Sequence, residues 1–545
     1  MKQVSRRDFL KHAAVGAVGM SVLGAGALAE EKDARVIYNN PAQWDHECDV
    51  AVIGSGTSMY GMVKLAKAGV DVICVEAFPI TGGSTALSGG CAWMPVNADS
   101  VPYGDTREKA FTYMKKNASE SYTTDELVAA YVDTVHPMLD FINPELEAHP
   151  LCLKPLVYHM DDYNPTWEGA CKARVMMWPA TSPDATDAQK ADIARTWSDA
   201  TLEIAKNYGA RIMTSTKMTK FVYRYDDAGV PEVLGIICEQ GGKEIAIKAK
   251  KAVIFAPGGF EWNLDLQKMF SAIVVEYPCS LSTCDGTALK AAMVLGPQLA
   301  NMQNHFGQIT YKEKAADQHA KGAPAPLNNG ARSCPHACFV NQYGRRFCNE
   351  DVNYDTLQEV FYNRRTDGGE GVENLPAWMI VDQRFIDAGY SSTMYEFFVG
   401  PTDENGVLPY FHKADSIEEI ADMFGINKEN LLETIAAFNA YAANGKDEDF
   451  NRAAATMGTI EQGPFYAAEL APSTLGTCGG PLINPKGQVM HATGTKINRL
   501  YACGNASGFG GPGDGYCGGG GTIGPGLIFG YLSACTIINE ENEWA

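Results

Sequence analysis

The 545-residue sequence predicts an α/β fold, a parallel sheet interrupted by an α+β insertion. Three observations carry this prediction. Apolar, strand-like runs at Cys48–Ile53, 252–255 and 500–502 each end in a glycine turn. The first run is followed at once by a helix-like segment and a second short strand. Residues 415–450 instead carry two amphipathic helical stripes, the mark of a segment outside the parallel sheet.

The first element is the most complete. Cys48–Ile53 (CDVAVI) reads as a buried strand, Gly54-Ser55-Gly56 as a tight turn, and residues 59–68 as a helix. A second strand, 70–75, ends in Glu76, twenty residues after Gly56. This is a βαβ dinucleotide fingerprint. Its glycines let the backbone approach a pyrophosphate, the helix N-terminus faces that charge, and the acid binds a ribose hydroxyl. The pattern departs from the usual one in that Met59 stands where a third glycine is expected, with Gly61 two places on.

Further turns follow. Thr81-Gly82-Gly83-Ser84-Thr85-Ala86-Leu87-Ser88-Gly89-Gly90 comes directly after the second strand. Ala252–Gly259 (AVIFAPGG) and Leu500–Asn505 (LYACGN) are later strands ending in glycine turns. Distant strand ends of this kind converge when one extended ligand lies along the carboxyl edge of a parallel sheet. In 415–450, a capping pattern at Asp415/Glu418 precedes apolar Ile417, Ile420, Ala421 and Phe424. A second stripe carries Leu431, Ile435, Phe438 and Ala442, and both stripes read as core packing.

Composition bounds the partners. Hydrophobic residues make up 46% of the chain, as in a globular protein, and the formal charge of −21 argues against nucleic acid. Residues 1–29 contain Ser5-Arg6-Arg7-Asp8-Phe9-Leu10, a Gly/Ala-rich apolar run and Ala27-Leu28-Ala29. They resemble a twin-arginine (Tat) signal, which implies export to a periplasmic or cell-envelope location and a cofactor inserted before export. The fifteen cysteines include no CxxC pair, and the ten histidines show no metal-binding spacing. Cys334, Cys338 and Cys348 form a loose cluster that could hold iron and sulfur, although iron–sulfur runs usually have tighter spacing and a fourth ligand nearby. Buried free thiols and no metal are the expectation.

Together the glycine turns resemble those of the FAD-dependent oxidoreductases of the fumarate reductase and 3-ketosteroid dehydrogenase group, over nearly the whole mature chain. The resemblance implies a Rossmann-like FAD-binding domain interrupted by a capping, substrate-binding domain. The expected boundaries are 46–284 for the first part, 285–451 for the cap, and 452–545 for the second part. It implies non-covalent FAD. Gly54, Gly56, Ser58 and Glu76 would hold the pyrophosphate and ribose. Gly83, Ser84, Thr85, Ser88, Gly89 and Gly90 would lie along the flavin, and Met218, Gly259 and Asp285 would complete the first part of the site. Gly504, Asn505, Thr522 and Ile523 would close it from the C-terminal side.

The last loop distinguishes branches of the group. Carboxylate reductases place an arginine and a histidine there, whereas residues 504–526 contain no Arg, Lys or His. Instead Tyr516, Gly518, Gly520 and Gly524-Pro525 match the ketosteroid dehydrogenase pattern. By that resemblance Tyr516 and the Gly520 N–H donate to a substrate carbonyl oxygen as an oxyanion hole. Tyr354, which follows the Arg346-Phe347-Cys348-Asn349-Glu350 run, exchanges a proton with the adjacent carbon. Tyr163, in Asp162-Tyr163-Asn164-Pro165, is a candidate third pocket tyrosine by a looser match to the same family.

The expected chemistry is hydride transfer between the flavin and the β-carbon, with proton transfer at the α-carbon. Reduction of a steroid-like or aromatic enone is the first reading and 3-ketosteroid desaturation the second. A fumarate- or urocanate-type carboxylate reductase and a non-catalytic flavin electron carrier stand as further alternatives. No NAD(P) motif is visible, so an exported enzyme would exchange electrons with a cytochrome or a quinone-linked carrier.

Overall fold

The computed structural model describes residues 36–539 except 120, 328–330, 367, 391–401 and 512–514. The expected export signal, 1–29, lies outside the described residues. The strand His46–Ile53 buries Cys48 and the whole run from Val50 to Ile53, as a strand covered on both faces should. It pairs in parallel with Val72–Val75 on one side and Lys243–Phe255 on the other. Lys496–Ala502 adds in parallel to Lys243–Phe255, and Arg211–Met213 to Val72–Val75. The register aligns Ile53 with Val75 and with Phe255, Phe255 with Ala502, and Val75 with Met213. All five parallel strands therefore end at one edge, and the glycine turns lie side by side along it. Lys217–Tyr225 and Pro231–Gln240 extend the sheet as an antiparallel meander into Lys243–Phe255.

The helix Met59–Lys67 covers this sheet, and Met59 is fully buried in the core. Close packing is provided by Gly61 instead of a third glycine at 59. A Cβ at Gly61 would overlap the backbone carbonyl of Gly530, in the last helix, Ile523–Asn539.

A second sheet is built around Phe465–Thr477. This strand pairs antiparallel with His305–Tyr311, Ala377–Asp382 and His412–Ala414, and in parallel with Tyr277–Pro278. The sheet division is offset from the expected boundaries at 284/285 and 451/452: two of these strands, 277–278 and 465–477, lie in segments assigned to the FAD-binding parts, yet both pair within the second sheet. Pairing of distant segments leaves no local mark in sequence. One face of this sheet buries Val340, Trp378 and Ile380 under the helices Ile417–Phe424 and Lys428–Asn444, whose predicted stripes do pack there. The cap of the first helix falls one residue later than expected. Ser416 accepts from Glu419 N at 3.2 Å, and the Glu419 carboxylate accepts from Asp415 N at 2.8 Å. The helix starts where Ile417 must enter the core, which makes Ser416 and not Asp415 the last non-helical residue.

Candidate active site

Along the shared sheet edge runs a cavity of about 1750 Å³ empty volume, its open mouth included. One end is made of glycine turns. Gly54 has φ +88°, and a Cβ there would overlap Ala256 O, so the chain turns under the next strand end only because the side chain is absent. The hydroxyl of Ser55 links two turns: it donates to Glu76 at 2.6 Å and accepts from Gly82 N at 2.8 Å. The Glu76 carboxylate also accepts from Ser55 N at 3.0 Å and Phe78 N at 2.9 Å, which fixes it at the cavity wall.

Gly56, Gly83, Ser84, Thr85, Ser88 and Gly89 line the next stretch, with Gly259, Gly504 and Asn505 opposite. Met218 and Asp285 line it too, and Asp285 is ion-paired with Lys217. Thr522 and Ile523 close it from the C-terminal side. Two expected residues are not in the wall. Ser58 turns inward and donates to Gly54 O at 2.6 Å, holding the turn from behind. Gly90 is used for packing, because a Cβ there would sit 2.8 Å from Ala194 N. Both support the wall without forming it. Bare backbone along a groove of this length, with a carboxylate at one end and the N-terminal turn of Met59–Lys67 beside it, fits an FAD molecule.

The other end is aromatic. Tyr516, Tyr354, Phe306 and Cys478 form a buried cluster against which Tyr163 and Leu475 pack. Tyr163 Oη donates to Tyr354 Oη at 3.3 Å. The ring of Tyr516 stacks on Tyr163 with centroids 5.8 Å apart, and meets Tyr354 edge-on at 5.4 Å. Tyr354 begins the helix Tyr354–Glu359, capped by the Asn353 side chain. The preceding turn is stapled by a buried cluster in which Arg346 pairs with Glu350 and Asp447, and Arg452 pairs with Glu350. Gly520 has φ +77° and lies so close to Ala92 that a Cβ would overlap the Ala92 backbone. Burial raises the Tyr354 hydroxyl well above the ordinary tyrosine value, and pushes Tyr516 up to about 12. Both phenols are therefore protonated at neutral pH and serve as donors.

The structure thus brings Tyr516, Gly520 and Tyr354 together with Tyr163, and adds Phe306 and Leu475, which sequence reasoning did not place. Phe306 and Leu475 come from two antiparallel strands, and nothing in their local sequence marks them. A further wall residue, Glu261, is buried, which raises its carboxyl; it accepts from the Ser280 hydroxyl and from Thr477 N at 3.2 Å. Among the described residues, Lys217 is the one Lys or Arg in the wall, and it sits at the Glu76 end, where Thr216 N donates to Glu76 O at 2.9 Å. Cys338 and Cys348 belong to different packed clusters, on opposite faces of the second sheet.

Comparison with known proteins gives the family and the fold. The family described as "FAD binding domain" matches residues 49–523. A 4-oxocyclohexanecarboxylate 2-dehydrogenase of Sinomonas cyclohexanicum is 27% identical, over 90% of this chain and 93% of its own. A 3-oxosteroid 1-dehydrogenase of Mycolicibacterium smegmatis is 28% identical, over 90% of this chain and 97% of its own. Among solved structures, a 3-ketosteroid delta1-dehydrogenase from Sterolibacterium denitrificans shares the fold with a TM-score of 0.78 at 20% identity, covering 91% of this chain and all of that one.

Proposed function

The chain belongs to the FAD binding domain family and is an FAD-dependent oxidoreductase acting on CH–CH groups of small molecules; from that premise we propose that it reduces the C=C bond of a cyclic, steroid-like or aromatic enone. One observation carries the reading: three tyrosines and Gly520 converge at the apolar end of the cavity whose other end is the glycine cradle. Gly54, Gly56, Gly83 and Gly504 would hold the FAD, with Glu76 on its ribose, and no covalent link is proposed. When bound, FAD supplies hydride exchange with the β-carbon.

The protein groups do the rest. Tyr516 Oη–H and the Gly520 N–H donate to the ring carbonyl oxygen and stabilise the charge that develops there. Tyr354 gives its proton to the α-carbon. Tyr163, already hydrogen-bonded to Tyr354 Oη, orients that hydroxyl. Tyr354 is protonated at neutral pH, the state that this direction requires. Desaturation uses the same groups in reverse and is the second reading, supported by the names of the relatives. A 2-dehydrogenase acting on a 4-oxo ring and a 1-dehydrogenase acting on a 3-oxo ring both join the carbons α and β to the ketone.

Export through the Tat route, and electron supply by a cytochrome or quinone-linked carrier, complete the proposal and rest on the arginine pair and apolar run of residues 5–29. The test of the reaction is anaerobic: the FAD-loaded protein is reduced with dithionite, then mixed with cyclohex-2-enone, 4-androstene-3,17-dione or fumarate while absorbance follows reoxidation. Fast reoxidation by the cyclic ketones and slow reoxidation by fumarate are expected: among the described residues no Lys or Arg is in the wall at the tyrosine end, and Arg332, buried behind Tyr163 and Tyr354, directs its guanidinium to Glu350 O and Val352 O. Fast reoxidation by fumarate alone overturns the reading.

A further inference from the structure

Behind the tyrosines lies a buried charge cluster that the reaction above leaves unused. Asp162 adjoins Tyr163 in the chain and is 3% exposed; Asp105 is 4% and Arg174 1% exposed. Arg174 donates to Asp162 Oδ2 at 2.7 Å through Nη1, and to Asp105 through Nε at 3.0 Å and through Nη2. Two carboxylates thus share one guanidinium, which the rings of Trp93 and Tyr113 flank at 5.4 and 5.7 Å. Asp162 also accepts from Trp93 Nε1 at 2.8 Å and from Cys171 N at 3.0 Å.

The same residues hold the reacting groups. The backbone N–H of Trp93 donates to Gly520 O at 3.2 Å, and the N–H of Tyr163 donates to Cys517 O, also at 3.2 Å. Cys517 O accepts a second bond, from Tyr113 Oη at 2.9 Å, and that hydroxyl in turn accepts from Asn164 N at 3.0 Å. Asp162 therefore holds Tyr163 through the chain, and through Trp93 it holds the carbonyl of Gly520, the residue whose N–H is the proposed donor. A shift of its carboxylate moves both.

We propose that Asp162, held by Arg174 and Trp93, is a positioning residue that keeps Tyr163 and Gly520 in reactive geometry only while it is ionised. The proposal rests on the carbonyl chemistry assigned above. Protonation removes the charge from its bonds to Arg174 and Trp93, leaving neutral hydrogen bonds of roughly half the strength. Burial is the larger influence on Asp162 and outweighs Arg174, so the carboxyl is raised to about 6. The competent state is present above that pH and lost as pH falls through it. The neighbouring groups do not titrate in that window. Asp105, although buried, is held below the usual carboxylate range by Arg174 and Val96 N–H. Burial raises Cys171, Cys517 and Tyr113, all of which stay neutral.

The test uses the full, FAD-loaded chain. Infrared titration without substrate should show a protonated-carboxyl band appearing with a midpoint near 6, absent in Asp162→Asn. The visible absorption of the bound flavin should shift with the same midpoint in the wild type and not in the variant. Turnover of cyclohex-2-enone should fall about tenfold per pH unit on the acid side in the wild type, as for one required ionisation. Asp162→Asn should lose that limb and show a plateau roughly 10- to 100-fold lower at unchanged FAD content, the cost of a small misplacement. Trp93→Phe, which removes one donor to the carboxylate, should move the limb to higher pH. An unchanged acid limb in Asp162→Asn, or a carboxyl band that titrates with no flavin response, overturns the proposal. Loss of enone turnover alone, with both spectroscopic titrations present, counts against the carbonyl chemistry instead.

Discussion

Tyr163 donates a 3.3 Å hydrogen bond to Tyr354 and stacks its ring on Tyr516, so one side chain touches both proposed catalytic phenols. The contact makes the tyrosines a unit. It also fixes the direction of the Tyr354 hydroxyl, whose proton affinity burial raises well above the ordinary tyrosine value.

Tyr516→Phe preserves the ring stack and removes only the hydroxyl. Turnover should fall about a hundred- to a thousand-fold, the usual cost of one oxyanion donor. FAD content should stay at the wild-type value because the ring packing is kept, and melting temperature should fall by only a few degrees, the cost of the lost bonds to Thr522 and Tyr354. Wild-type turnover would reduce Tyr516 to a packing residue.

Tyr354→Phe should lower turnover by roughly 10² to 10⁴, as for a lost general acid. With Tyr354 raised well above the ordinary tyrosine value, the wild-type rate of reduction should stay level from neutral into mildly alkaline pH. Desaturation, which needs the deprotonated phenol, should instead rise with pH over the same range. The solvent isotope effect should be large in the wild type and absent in Tyr354→Phe, while Tyr516→Phe should keep it. A Tyr354→Phe enzyme with the full isotope effect would move the proton donor elsewhere.

Glu76→Ala should weaken FAD retention by about 1.5–3 kcal/mol, the worth of charge-assisted hydrogen bonds. The same carboxylate anchors Ser55, so the first glycine turn should loosen as well. Released flavin should be FAD by mass spectrometry of the denatured supernatant. Retention equal to wild type would show that the ribose contact lies elsewhere.

His305, on the strand beneath Phe306, provides an acid-stability test. Burial pushes its imidazole from an ordinary value near 6.5 down to about 4. A base depressed in the folded state contributes its full stability above 6.5 and loses it as pH falls toward 4. Denaturant unfolding at pH 7 and pH 4 should therefore differ more in the wild type than in His305→Asn, by on the order of 3 kcal/mol. Equal differences in the two proteins would place the acid sensitivity in other groups.

Much of the cofactor end was legible in the sequence, and the physical reason is locality. A strand covered on both faces needs a continuous apolar run such as Val50–Ile53, and the turn after it needs Gly54 at positive φ. Both requirements act within a few residues. Ser58 and Gly90 lie outside the wall, since motif position does not say whether a residue faces the cavity or supports the turn from behind. The Asp415 cap was misjudged for a related reason: only packing of Ile417 sets where the helix begins.

By itself, the sequence determined the glycine turns, their strands, the acid at 76 and the absence of cations from the final loop, because backbone sterics and side-chain type are local properties. Tertiary structure alone decided that Phe465–Thr477 belongs to the second sheet, that Gly61 packs on Gly530, and that Asp162, Arg174 and Trp93 stand behind the site. Tyr163 and Tyr354 lie 191 residues apart in the chain, and their hydroxyls meet only through the packing of separate segments around one cavity. Contacts of that range depend on the whole arrangement of buried surface, which no local stretch of sequence encodes.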